Sequence, residues 1–155
     1  MIERADFTDR ALADFLRAHL ADLAPTSPPE SSHALDLDAL RAPSVRLWVL
    51  RHGDAIAATG ALAALEPGHE EVKSMRTDPA LRGRGFGRAV LAHLVRDAER
   101  RGITRISLET GSMPFFAPAH RLYTAAGFTP CPPFGSYVPD PNSSFFTLKL
   151  RNQGG

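Results

Sequence analysis

Three glycines within five residues, in the segment RGRGFG at residues 82–87, constrain this chain more than any other feature of its sequence. Glycine adopts positive φ angles at little steric cost, so the backbone at Gly83, Gly85 and Gly87 can turn tightly and approach a ligand closely. Amides in such a turn point inward, and a following helix adds unpaired amides and a partial positive charge. Three arginines flank the glycines: Arg82, Arg84 and Arg88. The pattern predicts a turn that binds a pyrophosphate.

The spacing of the glycines excludes two common phosphate-binding motifs. A P-loop requires a lysine directly after its last glycine, and this segment continues with Arg88. A dinucleotide fingerprint requires G-x-G-x-x-G, whereas the spacing here is G-x-G-x-G. The remaining alternative is a tight turn whose arginines are simply solvated.

Hydrophobic periodicity around this turn predicts a mixed α/β fold. Helices are predicted at residues 11–23, 32–40, 87–101 and 118–126, and strands at 1–5, 45–51, 55–65, 71–77, 103–109 and 145–150. In the helix at 87–101 the apolar face contains Val90, Leu91 and Leu94, while Asp97 and Arg101 are expected to face water. The length and the absence of a linker predict a single domain over residues 1–155.

Charge and composition exclude several classes of function. The chain has 18 basic and 17 acidic residues, a balance that argues against a dedicated nucleic-acid binder. Charged residues within the first twenty positions argue against a signal peptide, and no apolar run is long enough to cross a bilayer. Cys131 is the single cysteine, and the six histidines lack helical pairing, so we expect a cytoplasmic protein without a metal site.

Two further segments, taken with the glycine turn, carry a family resemblance. The pattern Met75-x-Thr77-x-Pro79 followed by Arg82-x-x-Gly85-x-Gly87 resembles motif A of the GNAT superfamily of N-acetyltransferases. The stretch Ala119-x-x-Leu122-Tyr123-x-x-x-Gly127-Phe128 resembles motif B, although Phe116-Ala117-Pro118 stands where motif B often opens with asparagine. The stretches at residues 27–30, 73–77 and 108–111 are similar to a bacterial YsnE-like branch.

The resemblance implies the GNAT fold: a twisted, mostly antiparallel sheet flanked by helices and splayed beside a bulge at the cofactor cleft. The implied cosubstrate is acetyl-coenzyme A. Its implied contacts are Met75, Arg76, Thr77, Arg82, Gly83, Arg84, Gly85, Phe86, Gly87 and Arg88. The Met75 amide would face the thioester oxygen, where negative charge develops in the transition state. No metal is implied.

Two side chains are the implied catalytic groups. Glu71 is the candidate base that takes a proton from the acceptor amine, and Glu70 would take this role if the register slipped by one residue. Strand alternation places Glu71, Lys73, Met75 and Thr77 on one face unless a bulge intervenes. Tyr123 is the candidate acid for the leaving thiolate. The structural alternatives are a strand-edge carboxylate and a tyrosine packed between helix and sheet.

The acceptor is expected to be a small amine or an amino-acid-like metabolite that attacks directly in a ternary complex. Two proline-rich loops, at residues 26–33 and 132–137, could bind it through Glu30, His33 and Tyr137, or could be rigid solvent-facing loops. A catalytically silent acyl-coenzyme A-binding module and an RNA-contacting domain are the competing functions. A homodimer is possible by analogy with the family.

Overall fold

A seven-stranded sheet, with strand order β1-β2-β3-β4-β5-β7-β6, organises the chain. The computed structural model describes residues 2–23 and 37–151. The strands are β1 (Ile2–Arg4), β2 (Val45–His52), β3 (Ala55–Glu66), β4 (His69–Thr77), β5 (Arg105–Gly111), β6 (Thr129–Pro130) and β7 (Ser143–Lys149). The helices are α1 (Arg10–Leu23), α2 (Leu37–Leu40), α3 (Phe86–Arg100) and α4 (Ala117–Ala125).

The predicted fold class is confirmed, with small shifts at the element ends. Every strand pair is antiparallel except β4 with β5. The short strand β6 was not predicted, because two residues carry no periodic signal. Of the helix predicted at residues 32–40, the described part is α2, and the rest lies outside the described residues. Within the described ranges, no helix combines the length and apolar character needed to cross a membrane.

Helices cover the two faces of the sheet, and each face has its own apolar core. On the α1 face, Leu12 and Leu16 of α1 pack with Leu47 and Val49 of β2. On the α3 face, the alternate residues Trp48 and Leu50 of β2 pack instead with residues of α3, α4, β5 and β7. This second core includes Trp48, Leu50, Val72, Val90, Leu94, Ile106, Leu108, Phe128 and Phe146. The alternation that predicts β2 therefore reflects burial of both faces.

The two parallel strands β4 and β5 are paired only where they begin. The register partners are His69 with Arg105, Glu70 with Ile106, and Glu71 with Ser107. Beyond Glu71, β4 and β5 share no further register partners in the described structure. The strands therefore form a V that is closed at Glu71 and open toward Thr77, as the splayed sheet requires. Beyond Glu71, the inner edge of each strand therefore faces the opening of the V instead of a paired strand.

A β-bulge interrupts β4 just inside the open half of the V. The register with β3 shifts between Thr59 and Ala61, and Ser74 adopts a positive φ of 55°, the left-handed region that non-glycine residues rarely occupy. Buried Thr59 donates a hydrogen bond from Oγ1 to the carbonyl oxygen of Ser74 at 2.8 Å. This hydroxyl satisfies a carbonyl at the point where the ladder is disrupted.

The bulge changes which side chains share a face of β4. Glu71 and Lys73 lie on the α1 face with Tyr137, and Arg76 stacks over Phe15 of α1. Met75 packs instead in the core on the α3 face. The uninterrupted alternation that would place Glu71, Lys73, Met75 and Thr77 together is therefore wrong, because the extra residue at Ser74 reverses the later positions.

A charge network ties α3 to the closed end of the V. The Arg101 guanidinium donates to both carboxylate oxygens of Glu70, at 2.9 and 2.7 Å, and to Asp97 at 2.8 Å. Asp97 also pairs with Arg46 of β2 at 3.3 Å. Asp97 is buried, so the expectation that it faces water is wrong, whereas Arg101 remains exposed while its guanidinium pairs with both carboxylates.

Thr59→Val tests the support of the bulge. Valine keeps the shape of threonine but leaves the Ser74 carbonyl without its donor, so we expect the free energy of unfolding to fall by about 1–3 kcal/mol. Urea unfolding followed by circular dichroism measures the change. Thr59→Ser, which keeps the hydroxyl, is the matched control and should retain most of the stability. Equal losses in the two variants would contradict the hydrogen-bond explanation.

Candidate active site

A cavity of about 400 Å³ lies along the open half of β4, next to α3 and α4. Its lining comes from the end of β4, the glycine turn, the segment that leads into α4, and His19 of α1. The lining residues are His19, Met75, Arg76, Thr77, Arg82, Gly83, Gly87, Phe115, Phe116, Pro118, Ala119, Leu122 and Tyr123. The structure thus brings both sequence motifs, which are far apart in the chain, to one cleft.

The glycine turn has the backbone conformation that its sequence predicts. Gly83 and Gly85 have φ angles of 80° and 83°, where an L side chain would be strained. Gly87 serves a different purpose, because a Cβ there would lie 3.1 Å from Thr77 Oγ1 and would push α3 away from β4. Gly85 is the N-cap of α3 and has no side chain to cap it, so the first-turn amides stay open to a ligand.

The predicted contacts in this turn divide into two groups. Arg82, Gly83 and Gly87 line the cavity. Arg84, Gly85 and Arg88 lie outside its lining: the first two are in the exposed turn, and Arg88 is an exposed residue in the first turn of α3. The Phe86 side chain turns inward, where its ring lies 5.2 Å from that of His52 and packs against the core. Phe86 therefore anchors the helix start, and only its backbone remains available to a ligand.

The opposite wall of the cavity contains residues that the sequence reasoning did not assign. Phe115 and Phe116 come from a 3₁₀ turn at Pro114–Phe116, directly before α4. The Phe116 ring lies against Gly111 at the end of β5, in the space that a Cβ would fill. His120 holds the same position through a 2.7 Å hydrogen bond between Nε2 and the Gly111 carbonyl oxygen. The available signal was the apolar Phe116-Ala117-Pro118 stretch at the start of motif B.

Tyr123 of α4 lies at the inner side of the cavity. It is 6% exposed and packs edge-on against Phe128 at 5.7 Å between ring centroids. Burial raises the pKa of the Tyr123 hydroxyl above its ordinary value, because the charged phenolate would be desolvated. The side chain is therefore a protonated donor throughout the neutral range.

On the α1 face, Glu71 lies at the vertex of the V and is 6% exposed. Its Oε2 accepts a hydrogen bond from the Tyr137 hydroxyl at 2.5 Å and another from Lys73 Nζ at 3.1 Å. Lys73 Nζ also lies 3.2 Å from the Tyr137 oxygen, which closes a three-membered cluster. Burial and the Glu71 charge together raise the pKa of Tyr137, which keeps its hydroxyl as a donor.

The structure separates the two neighbouring glutamates. Glu71 faces Tyr137, whereas Glu70 lies on the other face and forms the bidentate pair with Arg101. Glu70 is therefore poorly placed to substitute for Glu71. Glu30 and His33, predicted in the first acceptor loop, lie outside the described residues. Tyr137, predicted in the second loop, is close to Glu71 and to Phe134 and Phe145, at 5.2 and 5.6 Å between ring centroids.

Within residues 2–23 and 37–151, no three or more histidine, cysteine, aspartate or glutamate side chains come together in a group that could hold a metal ion. Cys131 is half-buried, and burial raises the pKa of its thiol. The donors in the cleft include backbone amides, the side chains of Arg76 and Arg82 and the Tyr123 hydroxyl, which suit an anionic or thioester ligand.

The V-shaped opening between two parallel strands, the bulge beside it and the glycine turn at a helix start are the features that the resemblance of the sequence to N-acetyltransferases implies. The sequence model of the acetyltransferase (GNAT) family matches residues 12–128. The chain is 46% identical over 145 residues to the N-acetyltransferase YsnE of Bacillus subtilis, covering 94% of this chain and 96% of YsnE.

Solved structures agree with this match. A protein of Klebsiella pneumoniae described as an acyl-coenzyme A N-acyltransferase superimposes with a TM-score of 0.80 at 30% identity, covering 97% of each chain. YncA of Salmonella typhimurium, whose structure contains acetyl-coenzyme A, has a TM-score of 0.73 at 20% identity, covering 100% of this chain and 96% of YncA. The chain belongs to the GNAT acetyltransferase family, in the branch that includes YsnE, and is an acyltransferase.

Alkaline titration tests the environments of Tyr123 and Tyr137, the two tyrosines of the chain. Both have pKa values raised by burial, so tyrosinate absorbance at 295 nm should not rise near pH 10 while the protein stays folded. Above pH 10 the unfolded chain ionises and the folded chain does not, so stability should fall as pH rises. Tyr137→Phe isolates the signal of Tyr123. A tyrosine that ionises near pH 10 in the native protein would contradict the buried geometry.

Proposed function

We propose that this protein transfers an acetyl group from acetyl-coenzyme A to the amine of a small molecule or an amino-acid-like metabolite. The observation that carries the proposal is the arrangement around the vertex of the V. The glycine turn and a buried tyrosine line the cleft on the α3 face, and a carboxylate lies on the α1 face of the same strand. A donor and an acceptor could therefore approach β4 from opposite faces.

The donor would bind along the cleft by its phosphates and its pantetheine arm. Arg82, the exposed arginines of the turn and the open amides at the start of α3 would receive the pyrophosphate. The inner edge of β4 from Met75 to Thr77 would pair with the amide groups of the arm, as an added strand would. Acetyl-coenzyme A supplies the activated acetyl group as a thioester.

The bulge supports a role for the Met75 amide. Ser74 and Met75 have no register partner in β3, and β4 has none in β5 beyond Glu71. A backbone amide at this position would donate to the thioester oxygen, where negative charge develops during attack. One such donor contributes about 3 kcal/mol to transition-state stabilisation.

Two side chains would move the protons of the reaction. Glu71 would accept a proton from the ammonium form of the acceptor, so that the amine nitrogen attacks the carbonyl carbon directly. As the carbon–sulfur bond breaks, the Tyr123 hydroxyl would donate a proton to the departing thiolate. The acylated nitrogen would release its remaining surplus proton, which returns through solvent to Tyr123 and leaves a neutral amide and the thiol of coenzyme A. The place of Tyr123 in the cavity lining supports the second role, and burial keeps its hydroxyl protonated at neutral pH.

The acceptor would bind on the α1 face. Tyr137 forms an aromatic cluster with Phe134 and Phe145, which would provide an apolar wall beside Glu71. Glu30 and His33 remain proposed contacts from the first loop. An amine that places its ammonium group against a carboxylate and its body against aromatic rings fits these features.

Arg82→Ala tests the phosphate-binding turn. Removing one charge-assisted contact should weaken acetyl-coenzyme A binding by roughly tenfold, measured by isothermal titration calorimetry. Arg96→Ala, which removes an exposed arginine from the same helix away from the turn, is the control and should bind normally. No binding of acetyl-coenzyme A to the wild-type protein would contradict the proposed function.

Glu71→Gln tests the base. The wild-type protein should release coenzyme A from acetyl-coenzyme A with members of a panel of small amines and amino acids. Glu71→Gln should lower kcat/KM for the best amine by about 100- to 10,000-fold while donor affinity is retained. Glu70→Gln is the matched control, since it removes the neighbouring charge on the other face and should affect stability rather than turnover. Binding of the donor without turnover of any amine would favour the silent module.

A further inference from the structure

We infer that the Met75 side chain limits the length of the acyl group that the cleft accepts and makes the protein selective for acetyl donors. This inference rests on the proposed function, because it places the thioester beside the Met75 amide. It concerns a different part of the residue, the thioether side chain. No earlier step in the proposed chemistry depends on the identity of that side chain.

The bulge directs the Met75 side chain into the donor side of the cleft. Without the extra residue at Ser74, alternation would place Met75 with Glu71 and Lys73 on the α1 face. Instead, Met75 lines the cavity together with Leu122 and Tyr123 and packs against the core. The Met75 side chain belongs to the same residue as the amide that would bind the thioester oxygen, so the two groups lie close together. The acyl group would therefore end near this thioether.

The space that Met75 occupies is a hollow over Gly60 of β3. A Cβ at Gly60 would lie 2.8 Å from Met75 Sδ and 2.6 Å from Val90 Cγ1, far inside ordinary contact distance. The missing side chain at Gly60 therefore makes room for Met75 between β3 and α3. With Met75 in place, the hollow is filled and its volume is closed to an acyl chain.

The geometry predicts how acyl length should affect binding. An acetyl group has one methyl beyond the carbonyl and can end against the thioether. A butyryl group has two more methylenes, which would need the volume now held by the Met75 side chain. Truncation to alanine removes three heavy atoms and opens the hollow. Leucine conserves most of the volume and should keep it closed.

The experiment measures binding of acetyl-coenzyme A, butyryl-coenzyme A and free coenzyme A by isothermal titration calorimetry, which needs no acceptor. Met75→Ala should raise the butyryl-to-acetyl affinity ratio by about tenfold, the value for burial of two methylenes. Met75→Leu should keep the wild-type ratio. Met113→Ala removes the same side chain from a position outside the cavity lining and should also keep it.

Gly60→Ala reduces the space in the hollow, whereas Met75→Ala enlarges it. The added Cβ should push Met75 toward the cavity, so acetyl-coenzyme A should lose affinity relative to free coenzyme A. An unchanged butyryl-to-acetyl ratio in Met75→Ala would overturn the inference even if Gly60→Ala failed to fold. If the wild-type protein bound none of the three ligands, the proposed function itself would fail. The two failures are therefore distinguishable.

Discussion

The bulge at Ser74 is the constraint on which the rest of the site depends. It requires a non-glycine residue at a φ of 55°, a conformation that is unfavourable for an L-amino acid. Two features of β3 support it: the Thr59 hydroxyl, which bonds the Ser74 carbonyl, and Gly60, which leaves room for Met75. The neighbouring strand β3 thus stabilises the distortion of β4. Because of this bulge, the side chains of β4 before and after Ser74 have different partners.

Because the bulge at Ser74 reverses the face on which later side chains lie, β4 contributes residues to two different chemical environments. Before the bulge, Glu71 faces a polar and aromatic cluster that contains Lys73 and Tyr137. After the bulge, Met75 faces an apolar cavity that also contains Tyr123. The proposed base, Glu71, and the proposed acid, Tyr123, would therefore have different surroundings on opposite faces of β4.

Much of the fold was predictable because it depends on local signals. The glycine turn, the amphipathic helix after it and the alternation in β2 each follow from the conformational limits of a few residues. The cleft residues at Arg82, Gly83, Gly87 and Tyr123 belonged to motifs and lie where those motifs meet. By contrast, the position of the bulge depends on Thr59 and Gly60, fifteen residues away in another strand. No periodic pattern near Ser74 contains that information.

Contacts between residues far apart in the chain explain the other differences between the sequence-based predictions and the structure. Asp97 lies on a helix face that its sequence predicts to be polar, yet it is buried, and Arg46 of β2 pairs with it from fifty-one positions away. Tyr137 contacts Glu71 across sixty-six positions of sequence, and the loop that carries it has no regular period. Phe116 reaches the cleft because Gly111, at the end of another strand, has no side chain. Such contacts follow from the assembled sheet, which local propensities do not specify.

The charge network of Glu70, Asp97 and Arg101 has a mechanical consequence. It anchors the closed end of β4 to the end of α3, at the point where β4 also pairs with β5. Beyond Glu71, β4 stays paired with β3, and β5 stays paired with β7 up to Gly111. Any widening of the V near Thr77 and Gly111 must therefore move two halves of the sheet apart, each as a paired unit. The position of Glu71 changes least in such a movement, because it lies where the two halves are joined.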